Sequence, residues 1–231
     1  MNPLPKLFAA ALATALLPSA AASFDFANLK YNGIVNSGFL PSDGIPCTGG
    51  DLCSSNVNGG VLNGDLTFSS GGVTVYATGS YNGNMAAVVQ DHENGYNAAN
   101  KIGAGLGVYH LSNNSSDDNI TVGEMLTLTF SQMVNLTSIS LRSDGHNVSG
   151  WNAGSTFLFN GASMALPIGV GDIALNFTGT QFTFAYGGRN PDQLYLSGLT
   201  ATQVPEPGTL ALMLAGLGAT GFVARRRRSR V

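Results

Sequence analysis

The sequence predicts an all-β protein: an antiparallel β-sandwich, jelly-roll-like, flanked by an N-terminal signal helix and a C-terminal transmembrane helix. Three observations carry this reading. Short apolar runs recur through the middle of the chain, each bounded by Gly, Asn, Asp or Ser, which is the pattern of strands and turns. Several runs alternate strictly: Leu126, Leu128 and Phe130 face one way and Thr127 and Thr129 the other, and Phe182, Phe184 and Tyr186 alternate with Thr183 and Ala185. That period of two puts one face in a core and the other in water. Finally, no stretch of the body carries a 3.6-residue apolar stripe, and 31 glycines and 9 prolines in 231 residues interrupt any long helix. A coiled coil, a helical bundle and a disordered polyelectrolyte are excluded, the last because only 10% of residues are charged, against roughly 25% in ordinary globular proteins. A single closed barrel is the alternative architecture.

Residues 1–22 read as an export signal. Lys6 gives the positive start, Leu7 to Leu17 is apolar apart from Thr14, and Ser19-Ala20-Ala21-Ala22 supplies small residues for a signal peptidase cutting after Ala22. Residues 23–203 form one domain's length of chain. Its expected strands are Asp65–Ser69, Val73–Thr78, Met85–Gln90, Leu106–Tyr109, Met125–Phe130, Leu136–Arg142, Thr156–Asn160, Ile173–Phe177, Gln181–Tyr186 and Leu194–Thr200. Ahead of them, Cys47 and Cys53 enclose a five-residue loop, and export to an oxidising compartment makes a disulfide their natural state. Gly103-Ala104-Gly105-Leu106-Gly107 does not fit a phosphate cradle and instead permits close strand packing or a bend.

Residues 204–231 form a three-part tail. Val204-Pro205-Glu206-Pro207 cannot continue a strand ladder or a helix interior, so it is an extended joint. Thr209 to Ala224 carries no charge and spans about 24 Å as a helix, a short crossing of a hydrocarbon core of roughly 30 Å. Arg225, Arg226, Arg227 and Arg228 then stop translocation and stay on the cytoplasmic side, which leaves the body outside. These parts together resemble the PEP-CTERM sorting signal of Gram-negative exported proteins. The resemblance implies recognition by an exosortase, a membrane-embedded cysteine peptidase, removal of the tail near Pro205-Glu206-Pro207, an inner-membrane intermediate, and delivery to the cell surface or to extracellular polymer. Asn119 to Phe130, preceded by Gly105-Leu106-Gly107-Val108, is similar to a segment recurring in such exported proteins; there Glu124 is expected to cap the turn into its strand.

Charge and motifs bound the chemistry. Of the ten cations, only Lys30, Lys101, Arg142 and Arg189 lie between Ser23 and Gln203, against twelve carboxylates, so the body does not bind nucleic acid by charge. His92, His110 and His146 fall in no metal or nucleophile motif, and neither HExxH nor GxSxG occurs. No cofactor is expected. Asp91, Glu93, Asp117 and Asp118 are the weak candidates for Ca²⁺, which takes loop carboxylates, although their spacing matches no EF-hand. Trp151, Tyr81, Tyr96 and Tyr109 are the aromatics available for sugar stacking, with a buried loop anchor as the other reading of Trp151. The expected function is therefore non-enzymatic: a structural or adhesive protein of extracellular polymer. A carbohydrate-binding module for exopolysaccharide is the alternative, and a secreted hydrolase a third reading.

Overall fold

The computed structural model describes residues 21–27, 45–46, 52–53, 65–91, 103–109, 119–169, 171–204, 214–218 and 220–221. Twelve strands lie among them: β1 (Ala21–Asp25), β2 (Ile45–Pro46), β3 (Leu52–Cys53), β4 (Leu66–Ser70), β5 (Val73–Tyr81), β6 (Asn84–Asp91), β7 (Gly105–Tyr109), β8 (Glu124–Arg142), β9 (Thr156–Phe159), β10 (Ala162–Ala165), β11 (Asp172–Ala185) and β12 (Tyr195–Gln203). Every ladder between them is antiparallel. The all-β antiparallel expectation holds, and the body is a sheet-rich, barrel-like fold.

The hairpins follow from local chemistry. Gly71-Gly72, Asn82-Gly83 and Asn160-Gly161 form two-residue loops in which both residues have positive φ. This is the requirement of the type I′ turn, whose twist matches that of the strands it joins.

Two pairs of expected strands are each one continuous strand. Met125–Phe130 and Leu136–Arg142 both belong to the 19-residue β8, and Ile173–Phe177 and Gln181–Tyr186 merge in the 14-residue β11. The polar stretch between each pair reads locally as a break. It stays extended because β8 and β11 pair with each other on both sides of it, Gln181 opposite Thr129 and Gly179 opposite Val134. The other edge of β8 changes partner there: Glu124 to Phe130 pair with β5, and Val134 to Arg142 with β12. A second adjustment follows at Thr137, which the β12 register skips. This bulge shifts the buried set from even positions, ending at Leu136, to Ile139 and Leu141.

The partner change folds the ladders into a circuit, β5–β6–β7–β12–β8, which closes through one residue pair, Leu196 and Leu106. Gly105 makes the closure possible. Its φ is +114°, and a Cβ there would lie 2.6 Å from the Ser197 Cα and nearer still to the Leu196 carbonyl oxygen. The close-packing role expected of the glycine-rich segment is met at this position.

Inside, a chain of phenylalanine rings links the elements. Phe26 lies 4.9 Å from Phe68 and 6.0 Å from Phe24, Phe24 lies 6.4 Å from Phe130, Phe130 lies 5.7 Å from Phe182, and Phe182 lies 6.1 Å from Phe159. Each such ring contributes about 1.5–3 kcal/mol by leaving water. β1, absent from the expected strands, supplies Ala22 and Phe24 to this core and pairs with β12, Ala21 opposite Thr202. A signal-peptidase cut after Ala22 therefore falls inside β1. β10 is the other unforeseen strand of note; Ala162–Ala165 has no apolar alternation and is extended because the Asn160-Gly161 turn lays it on β9.

Candidate functional site

The β8–β9 connection builds a polar cluster at one end of the body. Arg142 closes β8, and a tight turn follows, held by bonds from the Ser143 N–H and Oγ–H to the Asn147 carbonyl (2.9 and 3.0 Å) and from the His146 N–H to the Ser143 carbonyl (2.8 Å). His146 takes a φ of 60°, which points its ring back at the sheet. There its Nε2 lies 3.1 Å from Asp91 Oδ2, and the ring meets the edge of Tyr195 at 5.6 Å. Asp91 is buried at the end of β6 and also accepts the Ala104 N–H at 3.3 Å. The carboxylate thus orients the imidazole and ties the turn to the β7 entry. The Ser143 hydroxyl of the same turn is given to the Asn147 carbonyl.

Beside this turn lies a second network. Asn119 Nδ2 donates to Asp144 Oδ1 at 2.8 Å and to Gln193 Oε1 at 3.3 Å, and Gln193 Nε2 donates to Thr121 Oγ1 at 3.1 Å. Trp151 is 5% exposed and its indole N–H donates to the Gln193 carbonyl at 2.9 Å. It is a loop anchor whose faces are packed, not a stacking platform. Tyr81 is half-buried against the core at the end of β5, and Tyr109 is half-buried at the end of β7. Glu124 caps its turn as expected: its Oε2 accepts the Thr121 N–H, and its own N–H donates to the Thr121 carbonyl, both at 2.9 Å. Tyr96, Glu93, Asp117, Asp118, Cys47, His92 and His110 lie outside the described residues, while Cys53 lies in β3, paired with β2 and β6.

The structure adds a groove that no motif announced. One rung runs across four strands: Asp25 on β1 is opposite Gly198 on β12, Gly198 is opposite Ser140 on β8, and Ser140 is opposite Asp172 on β11. Gly198 has no room for a side chain, since a Cβ there would meet the Phe24 carbonyl oxygen at 2.8 Å. A cavity of about 380 Å³ lies along this rung, lined also by Ser23, Thr200 and Arg142 and walled by Val148 and Gly171. Ser140 Oγ donates to the Asp172 carboxylate, and Arg142 Nη1 donates to the His146 carbonyl at 3.3 Å. Carboxylates, hydroxyls and a guanidinium on one surface suit a polyhydroxylated ligand. The backbones of Asp25 and Asp172 stand three strand spacings apart, about 14 Å.

At the opposite end of β12 the body passes into the tail. Gln203 Nε2 donates to the Gly71 carbonyl at 2.9 Å, and the Val204 N–H donates to the Met133 carbonyl at 3.0 Å. Pro205, Glu206, Pro207 and Arg225 to Arg228 lie outside the described residues. Residues 214–218 and 220–221 are helical and exposed, and Thr220 Oγ1 lies 3.0 Å from both the Gly216 and Leu217 carbonyls, so its hydroxyl is satisfied within the helix. Among the described residues no helix is long and apolar enough to cross a membrane.

No curated protein and no solved structure matches the chain. The family model of the PEP-CTERM protein-sorting motif matches residues 203–228. That match takes in the proline-bracketed joint, the apolar segment and the arginine cluster, and it begins on the last residue of β12. Residues 203–228 thus carry a PEP-CTERM protein-sorting motif, which indicates an exosortase-sorted exported protein.

Proposed function

We propose that this exosortase-sorted, exported protein has a structural or adhesive role in extracellular polymer. The PEP-CTERM motif at residues 203–228 is the observation that carries the reading, because it makes Val204 to Pro207 a recognition sequence for another enzyme. Residues 1–22 are the signal peptide in this reading. The segment Thr209 to Ala224 is a transmembrane helix that holds an intermediate at the inner membrane until the tail is cut. The body is a jelly-roll-like sandwich bent from one sheet, which the phenylalanine rings packed between its elements support.

Mass spectrometry of native surface material tests it. The expected mass lacks Arg225 to Arg228, and an intact C-terminus on correctly placed protein overturns the reading. The double variant Pro205→Ala with Pro207→Ala is expected to accumulate untrimmed in the membrane fraction.

A second reading is exopolysaccharide binding, and the rung from Asp25 to Asp172 favours it. Its polar groups line one cavity, and with one guanidinium and two carboxylates it suits neutral sugars better than phosphate. In a pull-down on the cell's own polymer, Asp25→Asn and Arg142→Gln are each expected to weaken retention about ten-fold, as loss of a charge-assisted hydrogen bond does. Retention equal to wild type in both variants overturns the sugar reading.

A further inference from the structure

The sorting motif and the folded body overlap. The motif match starts at Gln203, and β12 also ends there. Gln203 is opposite Val134 in the β8 ladder, its side chain is bonded to the Gly71 carbonyl across the β4–β5 turn, and the N–H of Val204 is bonded to the Met133 carbonyl. One residue back, Thr202 is flanked on its other side by Ala21 of β1. β12 is therefore an inner strand up to Thr202, and the proline-bracketed joint begins on the residue after the last one the sheet holds. No spacer separates them.

A peptidase takes its substrate as an extended segment and bonds the main chain on both sides of the scissile bond, as in strand addition to a sheet edge. On the body side of Pro205-Glu206-Pro207, the residues it would take are Val204 and Gln203, and the sheet already uses them. Both cannot hold the same N–H. Proline cannot continue a ladder, so the rung that must give way is the one in front of the joint. Strand ends open locally at low free energy.

Resting on the sorting reading, we infer that the closing rung of β12 is a gate for tail removal. Gln203 and Val204 must leave Gly71 and Met133 before the exosortase can seat the joint. The surface that the peptidase meets is then the end of the body formed by the Gly71-Gly72 turn, the β8 partner change at Met133 and the start of β1. Gln203 acts as a positioning residue, holding the joint back through Gly71.

Pulse-labelled cells containing the cognate exosortase test this with the full chain. A six-residue Gly-Ser spacer between Val204 and Pro205 separates the joint from the rung without touching the body. Trimming of the spacer variant is expected to be about five-fold faster than wild type, the factor that one net hydrogen bond represents, and Gln203→Ala is expected to shift the rate in the same direction by less. A rate unchanged or slowed by the spacer overturns the gate. Wild-type chain left untrimmed by an active exosortase overturns the sorting reading itself, and the gate with it.

Discussion

Gly105 and Trp151 show how single residues acquire roles from what surrounds them. Gly105 sits where β7 crosses β12 at the one residue pair that closes the circuit, with a φ that side chains rarely adopt. Gly105→Ala is expected to lower stability by about 3 kcal/mol or more, combining the strained dihedral with overpacking; a fall in the urea midpoint without a change of slope checks it. Trp151 combines burial with one hydrogen bond to the Gln193 carbonyl. Trp151→Phe is expected to cost about 1 kcal/mol, and Trp151→Ala about 3–5 kcal/mol by the cavity it leaves. Polymer retention by folded Trp151→Phe is expected to equal wild type. A tryptophan in a Gly-Asn setting is open to both readings in the sequence, because what decides between them is a carbonyl 42 residues away.

β8 decides how far strand prediction reaches. Its alternation was legible. Its continuity was not legible. Ser131 to Met133 are polar or exposed and look like a turn, yet β11 runs past them on one side while β5 hands over to β12 on the other. Thr137 is the residue on which the phase of the last third of β8 depends. Deleting Thr137 is expected to remove the bulge and leave Leu136, Ile139 and Leu141 in plain alternation on the buried face, so the variant is expected to fold; a retained cooperative thermal transition checks this. The groove shows the same limit. Ser23 and Asp25 flank Phe24, Ser140 and Arg142 flank Leu141, and Gly198 and Thr200 flank Leu199. Each strand's outer face was readable, but not that these faces lie side by side with that of Asp172 on β11.

In the whole molecule, β1 and β12 are antiparallel partners, so Ala21 and Val204 leave the body at the same end. The turn at Ser143 to Asn147 and the Asp91–His146 pair lie at the other end, the length of a nine-residue strand away, about 30 Å. A precursor tethered by both its apolar segments would therefore stand with the Gly71-Gly72 turn toward the membrane and the 143–147 turn away from it. A fluorophore on Gly72→Cys is expected to be quenched by a lipid-soluble quencher in membrane-inserted precursor, and one on Gly145→Cys is expected not to be; equal quenching at both sites contradicts this orientation. Ala21 also sets a question for export, because a cut after Ala22 takes the first two residues from β1. N-terminal sequencing of the mature protein is expected to begin at Ser23, leaving Ser23 to Asp25 paired with β12.

The amino-acid sequence by itself determined the address and the class. A proline-bracketed acid, an uncharged run and an arginine cluster act through their order along the chain, and alternation with Gly- and Asn-rich turns acts over a few neighbours, so both are written locally. Tertiary structure alone decided which strands are continuous, that the circuit closes at Gly105, that Trp151 is buried, that four polar faces line up as a groove, and that the sorting joint starts against a held strand end. Those depend on pairings between residues tens to more than a hundred positions apart, such as Gln203 with Gly71, and their register is fixed by which faces can be buried together and not by any short stretch of sequence.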